Sequence, residues 1–478
     1  MRTSQRRHLG ALGTALKRSR ALLFKSEDGK DGAPYEKEFS PRDYVSYLLD
    51  VDAEIEHGLM VQYLYAAYSL GGPQVPAQHR DTVRGWQEII LGIAKEEMGH
   101  LISVQNVLRL IGAPLNLNRE DYPWDVPFYP FPFTLEALTL DSLAKYVYAE
   151  SPENWTGPIA DEVRARVASA TPSPHRVSEL FELLIPLVQN PDYLPDEVFQ
   201  ADTYPYQASW DEWGRGYQGG KRGNSSRAAM PATPDVLVVA LASRDDAVSA
   251  LQQIAEQGEG TSTDDPSNPS HFQRFLRIYT EMTALAGEGW APSRSVATNP
   301  YVSLDPDMDP SENLRIAGTA SPITHPEARL WAQLQNVRYR MLLTYLSHTF
   351  LLYGGLTAAG TFTPRGALIN GTFGEMYNLR ALSEILMQLP LSAGDLNPGI
   401  TAGPPFQMPY TMNSPIGEAN RWRVHLDLLS AASDLIDALR KIVPDSRRPY
   451  LAAMQEADQQ MVDTATRIIS SQINLALT

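Results

Sequence analysis

Residues 90–104 read Ile90-Leu91-Gly92-Ile93-Ala94-Lys95-Glu96-Glu97-Met98-Gly99-His100-Leu101-Ile102-Ser103-Val104. Ile90, Ile93, Leu101 and Val104 recur around Glu97 at helical spacing, so Glu97 sits on an apolar seam. His100 follows three residues later and shares Ile93 and Val104 as neighbours. Residues three apart project from one helix face, which sets this carboxylate and this imidazole side by side, facing a core. Glu96 lies on another face and reads as solvated. One Glu-x-x-His arises by chance on many helices and alone reads as structural. Its meaning depends on what other helices place beside it.

Three further segments place polar groups on apolar seams. Ser40-Pro41 opens a helix to about Leu70, with Ser40 as N-cap and Gly71-Gly72-Pro73 as the stop. On it, Glu56 is surrounded by Leu49, Ala53, Leu59, Met60 and Tyr63. Glu54 has Asp50, His57 and Gly58 around it and is the weaker candidate for burial. Asp52, one turn before Glu56, is placed to support it. A helix over about 243–258 carries the stripe Val248, Leu251, Ala255, which leads to Glu259 between two glycines. Glu256 turns instead toward Ser249, Gln252 and Gln253. A fourth helix, about 269–286, has His271 in its first turn above Phe275, Ile278 and Met282. Each residue alone has an ordinary structural reading. Together they are three carboxylates and two imidazoles on the seams of four long helices. Burying ionised carboxylates without cations costs several kcal/mol each. Two divalent ions held by inward-facing Glu and His side chains resolve that cost, as in di-metal helix bundles. The expected metal ligands are Glu56, Glu97, His100, Glu259 and His271.

The rest of the chain fits a helical protein. The sequence has 478 residues, enough for a large core and more than one domain. Helix 79–111 ends at Gly112-Ala113-Pro114. From 114 to 233 the text is rich in Pro and aromatic residues, among them Tyr122, Trp124, Phe128, Tyr129, Phe131, Phe133, Tyr204, Tyr206, Trp210, Trp213 and Tyr217. This stretch reads as a long insertion with short helices at 134–147 and 178–187, forming an aromatic lid. A Pro/Gly-rich linker over 291–326 precedes C-terminal helices at 327–352, 373–388, 416–442 and 448–475. Strand signals are scarce. The expected organisation is a basic arm over 1–39, a di-metal domain over 40–290, the linker, and a C-terminal helical region over 327–478. In that last region His348 reads as a packed core residue. Arg338 and Arg340 read as interhelical salt-bridge partners, with contact to a carboxylate substrate as the sharper alternative.

Composition removes several functions. The net charge is −16 with a pI near 5.1, and no basic face suits nucleic acid. Cysteine is absent, which excludes disulfides, thiolate metal sites and a thiol nucleophile. Charged residues interrupt each apolar run before membrane-spanning length. Arg6-Arg7 precedes a short apolar run, Leu9 to Leu16, but Lys17, Arg18 and Arg20 follow at once, so the start reads as a basic arm rather than an export signal. A cytoplasmic protein is expected, with self-association left open.

The stretches Glu54-Ile55-Glu56-His57-Gly58-Leu59-Met60-Val61-Gln62-Tyr63-Leu64-Tyr65 and Lys95-Glu96-Glu97-Met98-Gly99-His100 resemble the ferritin-like domain family that includes the iminophenyl-pyruvate dimer synthases. Gln257-Gly258-Glu259-Gly260, Ser270-His271-Phe272 and the segment from Phe131-Pro132-Phe133 to Ser142-Leu143 are similar to further motifs of that family. The resemblance spans about 40–290. It implies a mostly α protein built on a ferritin-like four-helix bundle, and oxidative chemistry on amino-acid-derived small molecules in specialised metabolism. It also implies two divalent transition ions, iron ahead of manganese, on Glu56, Glu97, His100, Glu259 and His271. In this reading Glu97 bridges the ions. Tyr63, seven residues past Glu56 on the same helix, is spaced to stand near them, with core packing as its ordinary reading. The partners are O2 and a small-molecule substrate. Asn268 stands three before His271, where a second Glu-x-x-His would have its carboxylate. Three Glu and two His are similar to a manganese-catalase arrangement, which leaves peroxide disproportionation as an alternative. A non-catalytic metal-binding bundle is the third reading.

Overall fold

The structure is a computed structural model that describes residues 40–119, 130–170, 174–213, 238, 240–259, 269–302, 320–353, 363–394, 399–408 and 412–476. The basic arm with Arg6-Arg7 lies outside them, as do Tyr122, Trp124, Phe128, Tyr129 and Tyr217 of the expected lid. Twelve α-helices appear among the described residues: α1 Pro41–Ser69, α2 Arg80–Leu110, α3 Leu140–Ala149, α4 Pro158–Ala170, α5 Ser178–Gln189, α6 Trp210–Trp213, α7 Arg244–Glu259, α8 His271–Leu285, α9 Pro326–Thr349, α10 Pro364–Leu386, α11 Glu418–Arg440 and α12 Arg448–Ala476. Two strands of two residues each, β1 Pro300–Tyr301 and β2 Ser321–Pro322, pair in parallel. No described helix is long and apolar enough to cross a membrane.

Local chemistry sets the helix ends. The Ser40 hydroxyl accepts from the Asp43 amide, and Pro41 occupies the first turn of α1. Gly71 and Gly72 follow with φ of 85° and 118°, a region that favours glycine. Reciprocal capping boxes open α3 (Thr139 with Ser142) and α8 (Ser270 with Gln273). These two caps fix the starts of two helices that matter for the site.

Helices α1 and α2 pack along their length as a hairpin, with α8 against α2, α3 against α8 and α7 against α5. Every residue from Val51 to Tyr63 is buried. A helix covered on all sides sits in the middle of its protein. One side of α1 faces α2. On another, His57 Nε2 is hydrogen-bonded to the Tyr339 hydroxyl of α9. The C-terminal helices build a second core around Trp331, Leu368, Leu382, Trp422 and Ile436. Arg338 is buried there and donates to Glu375 (3.0 Å) on α10 and Asp458 (2.6 Å) on α12. That arginine is a salt-bridge partner. His348 is also a core residue: its ring nitrogens meet His425 Nε2 at 2.8 Å and Glu418 Oε1 at 3.0 Å.

Helix α4 lies in the stretch read as a lid and had no clear periodic signal. Helix α10 begins at Pro364, nine residues before the expected start, because Thr363 caps it and Pro364 fits its first turn. The insertion is also more than a cover. Phe131, Phe133 and Tyr146 are buried in the main core, and α3 runs beside α8 toward the centre of the bundle.

Candidate metal centre

Four helices converge on one buried point. Helix α1 brings Glu56, α2 brings Glu97 and His100, α8 brings His271 as its first residue, and Glu150 caps the C-terminus of α3. His100 Nδ1 lies 3.0 Å from Glu97 Oε2 and 3.4 Å from Glu56 Oε2. His271 Nδ1 lies 2.9 Å from Glu97 Oε1 and 3.9 Å from Glu150 Oε2. One ligand atom each from Glu56, Glu97 and His100 fall within 4.8 Å of one another, and the same holds for Glu97, Glu150 and His271. Glu97 belongs to both groups. The two imidazole rings stack 5.4 Å apart.

The outer nitrogens explain why both imidazoles aim Nδ1 inward. His100 Nε2 lies 2.8 Å from Gln257 Oε1 of α7, and His271 Nε2 lies 2.9 Å from Glu96 Oε2. Both oxygens are acceptors, so each Nε2 carries a proton and each Nδ1 faces the cluster, where an ion would take the place of a second proton. Glu96 is therefore not solvated, as its place on the helix wheel implied. Arg274 also holds it, with Nη1 at 3.3 Å from Oε1. Burial raises the Glu96 pKa, but His271 and Arg274 together outweigh that and bring it down to about 2. The Tyr63 hydroxyl donates to Glu150 Oε1 at 2.6 Å, which leaves Oε2 turned to His271.

The buried charges are compatible with a bound cation. Glu56, Glu97 and Glu150 are each 2% exposed, and Asp52 nearby is fully buried. Burial, with the charge of Glu97, holds the Glu56 carboxyl well above the ordinary range and takes Glu150 to about 7. Burial takes Asp52 to about 8. Burial also disfavours the Glu97 carboxylate, but His271 and His100 outweigh it and hold that group well below its usual range. His271, whose burial is opposed by Glu97 and Glu96, rises to about 9. Protons thus occupy a centre that divalent ions would neutralise better. Glu56 Oε2, Glu97 Oε1 and His271 Nδ1 are buried yet make no hydrogen bond. Glu97 Oε1 and His271 Nδ1 are close but misaligned for one, and both point into the shared space. Orphaned donor atoms of this kind, on carboxylate and imidazole, suit a first-row divalent ion.

The structure brings together Glu56, Glu97, His100 and His271. Glu259 is the last residue of α7, and its side chain lies outside the described residues. The carboxylate that completes the second group is Glu150. It stood in the stretch read as a lid, one residue beyond a ten-residue helix. Leu143 and Val147, at i−7 and i−3, carried the seam signal that would have found it. Gly258 explains the close passage of α7, since a Cβ there would lie 3.1 Å from Glu150 Oε2. The cluster opens on a cavity of about 10 Å³, room for about one water, also walled by Leu59, Val177, Phe181, Ile254 and Ala255.

Residues 49–280 match the family model described as Ferritin-like. They form a ferritin-like domain. The ferritin-like core expected for a mostly α chain is thus present, and the five clustered side chains all lie inside the matched residues. Two characterised relatives extend past the ferritin-like domain. Dichlorochromopyrrolate synthase of Lentzea aerocolonigenes is 28% identical over 74% of this chain and 35% of its own length. The 2-imino-3-(indol-3-yl)propanoate dimerase of Chromobacterium violaceum is 25% identical over 76% of this chain and 33% of its own length. The chain thus spans about a third of the length of these relatives, both named as biosynthetic enzymes. A ferritin-like protein from Caulobacter vibrioides has a solved structure that aligns over 72% of this chain and 96% of its own, at 18% identity and a TM-score of 0.41.

The acceptor behind His271 is open to test. Glu96→Gln keeps the shape but exchanges a carboxylate for a neutral group, which holds the imidazole less firmly. We expect metal affinity to fall about 10–100-fold, with the fold unchanged by circular dichroism. Titration with Fe(II) or Mn(II) measures it, and an unchanged affinity would remove Glu96 from the centre.

Proposed function

We propose that this chain is an O2-dependent dinuclear metal oxidoreductase acting on an aromatic, amino-acid-derived small molecule in specialised metabolism. One observation carries the reading: two buried Glu/His groups share Glu97 and leave donor atoms unsatisfied between them. Glu56 and His100 would hold one ion, Glu150 and His271 the other, and Glu97 both, with iron ahead of manganese. Such a pair, when bound, supplies electrons to O2 and a Lewis acid to the substrate. The residues around it do the rest. Gln257 and Glu96 fix the imidazoles, and Tyr63 orients Glu150. Leu59, Val177, Phe181 and Ile254 make the space at the cluster apolar and nearly closed, which keeps bulk water from it. The names of the two relatives support the substrate class, since one is named for an indolyl imino acid and the other for a chromopyrrolate. The relatives are much longer, so the coupling of two such molecules is a question for the whole of those proteins.

Purified, metal-loaded protein should consume O2 when given the indolyl imine for which the Chromobacterium relative is named, or the parent amino acid with an oxidase that forms it. The second reading, peroxide disproportionation, is favoured by the ligand count: with Glu150 the set is still three Glu and two His. Rapid O2 evolution from hydrogen peroxide, with no O2 uptake on any aromatic substrate, would overturn the first reading in favour of the second.

A further inference from the structure

A second cleft, of about 250 Å³, lies where α1 ends and α2 begins. Arg80 on its rim stands seventeen residues before Glu97 on the same helix, which at 1.5 Å per residue is about 25 Å from the metal centre. Its floor is apolar: Tyr68, Leu70, Val75 and Val83 line it and are buried. Its walls carry three guanidiniums, Arg80, Arg84 and Arg294, against one acid, Glu384. Arg80 and Arg84 are exposed and meet no acceptor among the described residues. Glu384 is already engaged by Arg380 at 3.2 Å.

Arg294 is held in place chiefly by uncharged acceptors, with Glu384 the one acid of the cleft that acts on it. Its guanidinium donates to the carbonyls of Leu70 (2.6 Å) and Tyr68 (3.4 Å), which are uncharged acceptors. The chain reversal at Gly71-Gly72 makes this possible. The Gly71 amide donates to Pro292 and the Arg294 amide to Ser69, locking the two segments together. A Cβ on Gly72 would lie 3.1 Å from Arg294 Cγ. The result is a fixed cation and two free ones around an apolar floor, on a chain of net charge −16. A chain so acidic repels anions in general, and a local reversal of sign concentrates them at one place.

We propose that this cleft binds a small organic dianion, a dicarboxylate or a phosphate ester. Guanidinium groups pair with either oxyanion through two parallel hydrogen bonds, and the apolar floor takes a short carbon body. The site is distinct from the metal centre and shares no residue with it.

Isothermal titration of the metal-loaded full chain with succinate and with inorganic phosphate, at low salt, tests this. At least one should bind saturably, and binding should weaken as salt is added. Succinate alone would mark the ligand as a dicarboxylate, and phosphate alone as a phosphate ester. Arg80 and Arg84 make no hydrogen bond or ion pair among the described residues, so Arg80→Gln and Arg84→Gln should keep metal content and circular dichroism while losing about tenfold in affinity each. Arg294→Gln should lose more, with its helix end monitored by thermal unfolding. Absence of saturable binding of both probes, acetate binding as well as succinate does, or unchanged affinity in Arg80→Gln and Arg84→Gln would overturn the proposal.

Discussion

Glu97→Ala is expected to empty both halves of the centre. Glu97 is the one residue common to the two Glu/His groups, with Oε2 at 3.0 Å from His100 Nδ1 and Oε1 at 2.9 Å from His271 Nδ1. Loss of a terminal ligand weakens one ion, whereas loss of a bridge weakens two. Metal content should fall from about two ions per chain to below about half an ion. Elemental analysis after expression with both iron and manganese present reads this directly. Glu97→Gln separates charge from volume, since it fills the same space but no longer bridges as an anion. Metal content that is unchanged in Glu97→Ala would rule out a centre built on this residue. The same centre carries a pH signature. In the metal-free protein His271 titrates at about 9, raised by Glu97 and Glu96 against the opposing effect of its burial. At neutral pH it is protonated, and an ion can take Nδ1 only when that proton leaves. Loading the metal-free protein should therefore release protons, and affinity should rise with pH up to about 9. A pH-independent affinity between pH 6 and 9 would contradict the placement of His271 in the centre.

The long helices and most of the cluster were legible in the sequence for a simple reason. Helices α1 and α2 are about thirty residues each, so a polar residue on their seams has apolar neighbours on both sides that fix its direction. Glu56, Glu97 and His100 were found that way, and His271 by its place in a capped first turn. Glu150 was hidden because it lies past the end of α3, where helical periodicity stops, and inside a stretch whose aromatic content suggested a cover. Glu96 was misread because the helix wheel describes one helix. Its partner, His271, comes from 175 residues away, and tertiary packing decides such a contact. Tyr63 was placed near the centre by spacing alone, yet its bond to Glu150 depends on α3. The C-terminal helices were legible as helices. Their closeness to the site, through Tyr339 on His57, was not, because no local pattern encodes which helix covers α1.

Glu150→Gln should cost the second ion and most activity. Three observations favour Glu150. Its Oε2 lies 3.9 Å from His271 Nδ1, it completes a group of ligand atoms within 4.8 Å, and Tyr63 fixes its other oxygen. Glutamine at 150 still accepts from Tyr63 but offers the ion an amide in place of a carboxylate. Metal content should then fall from about two to about one per chain, the remaining ion being held by Glu56, Glu97 and His100. Gly258→Ala attacks the same residue from outside. The added methyl would sit 3.1 Å from Glu150 Oε2, so it must push that oxygen away or tilt α7. It should lower affinity at the second position without touching any ligand chemically. Tyr63→Phe removes only the orienting bond and should fall between wild type and Glu150→Gln. The decisive comparison is elemental analysis of Glu150→Gln and Glu259→Gln side by side. Full metal in Glu150→Gln would leave Glu150 as a buried acid held by Tyr63, and a lost ion in Glu259→Gln would mark the end of α7 as a ligand.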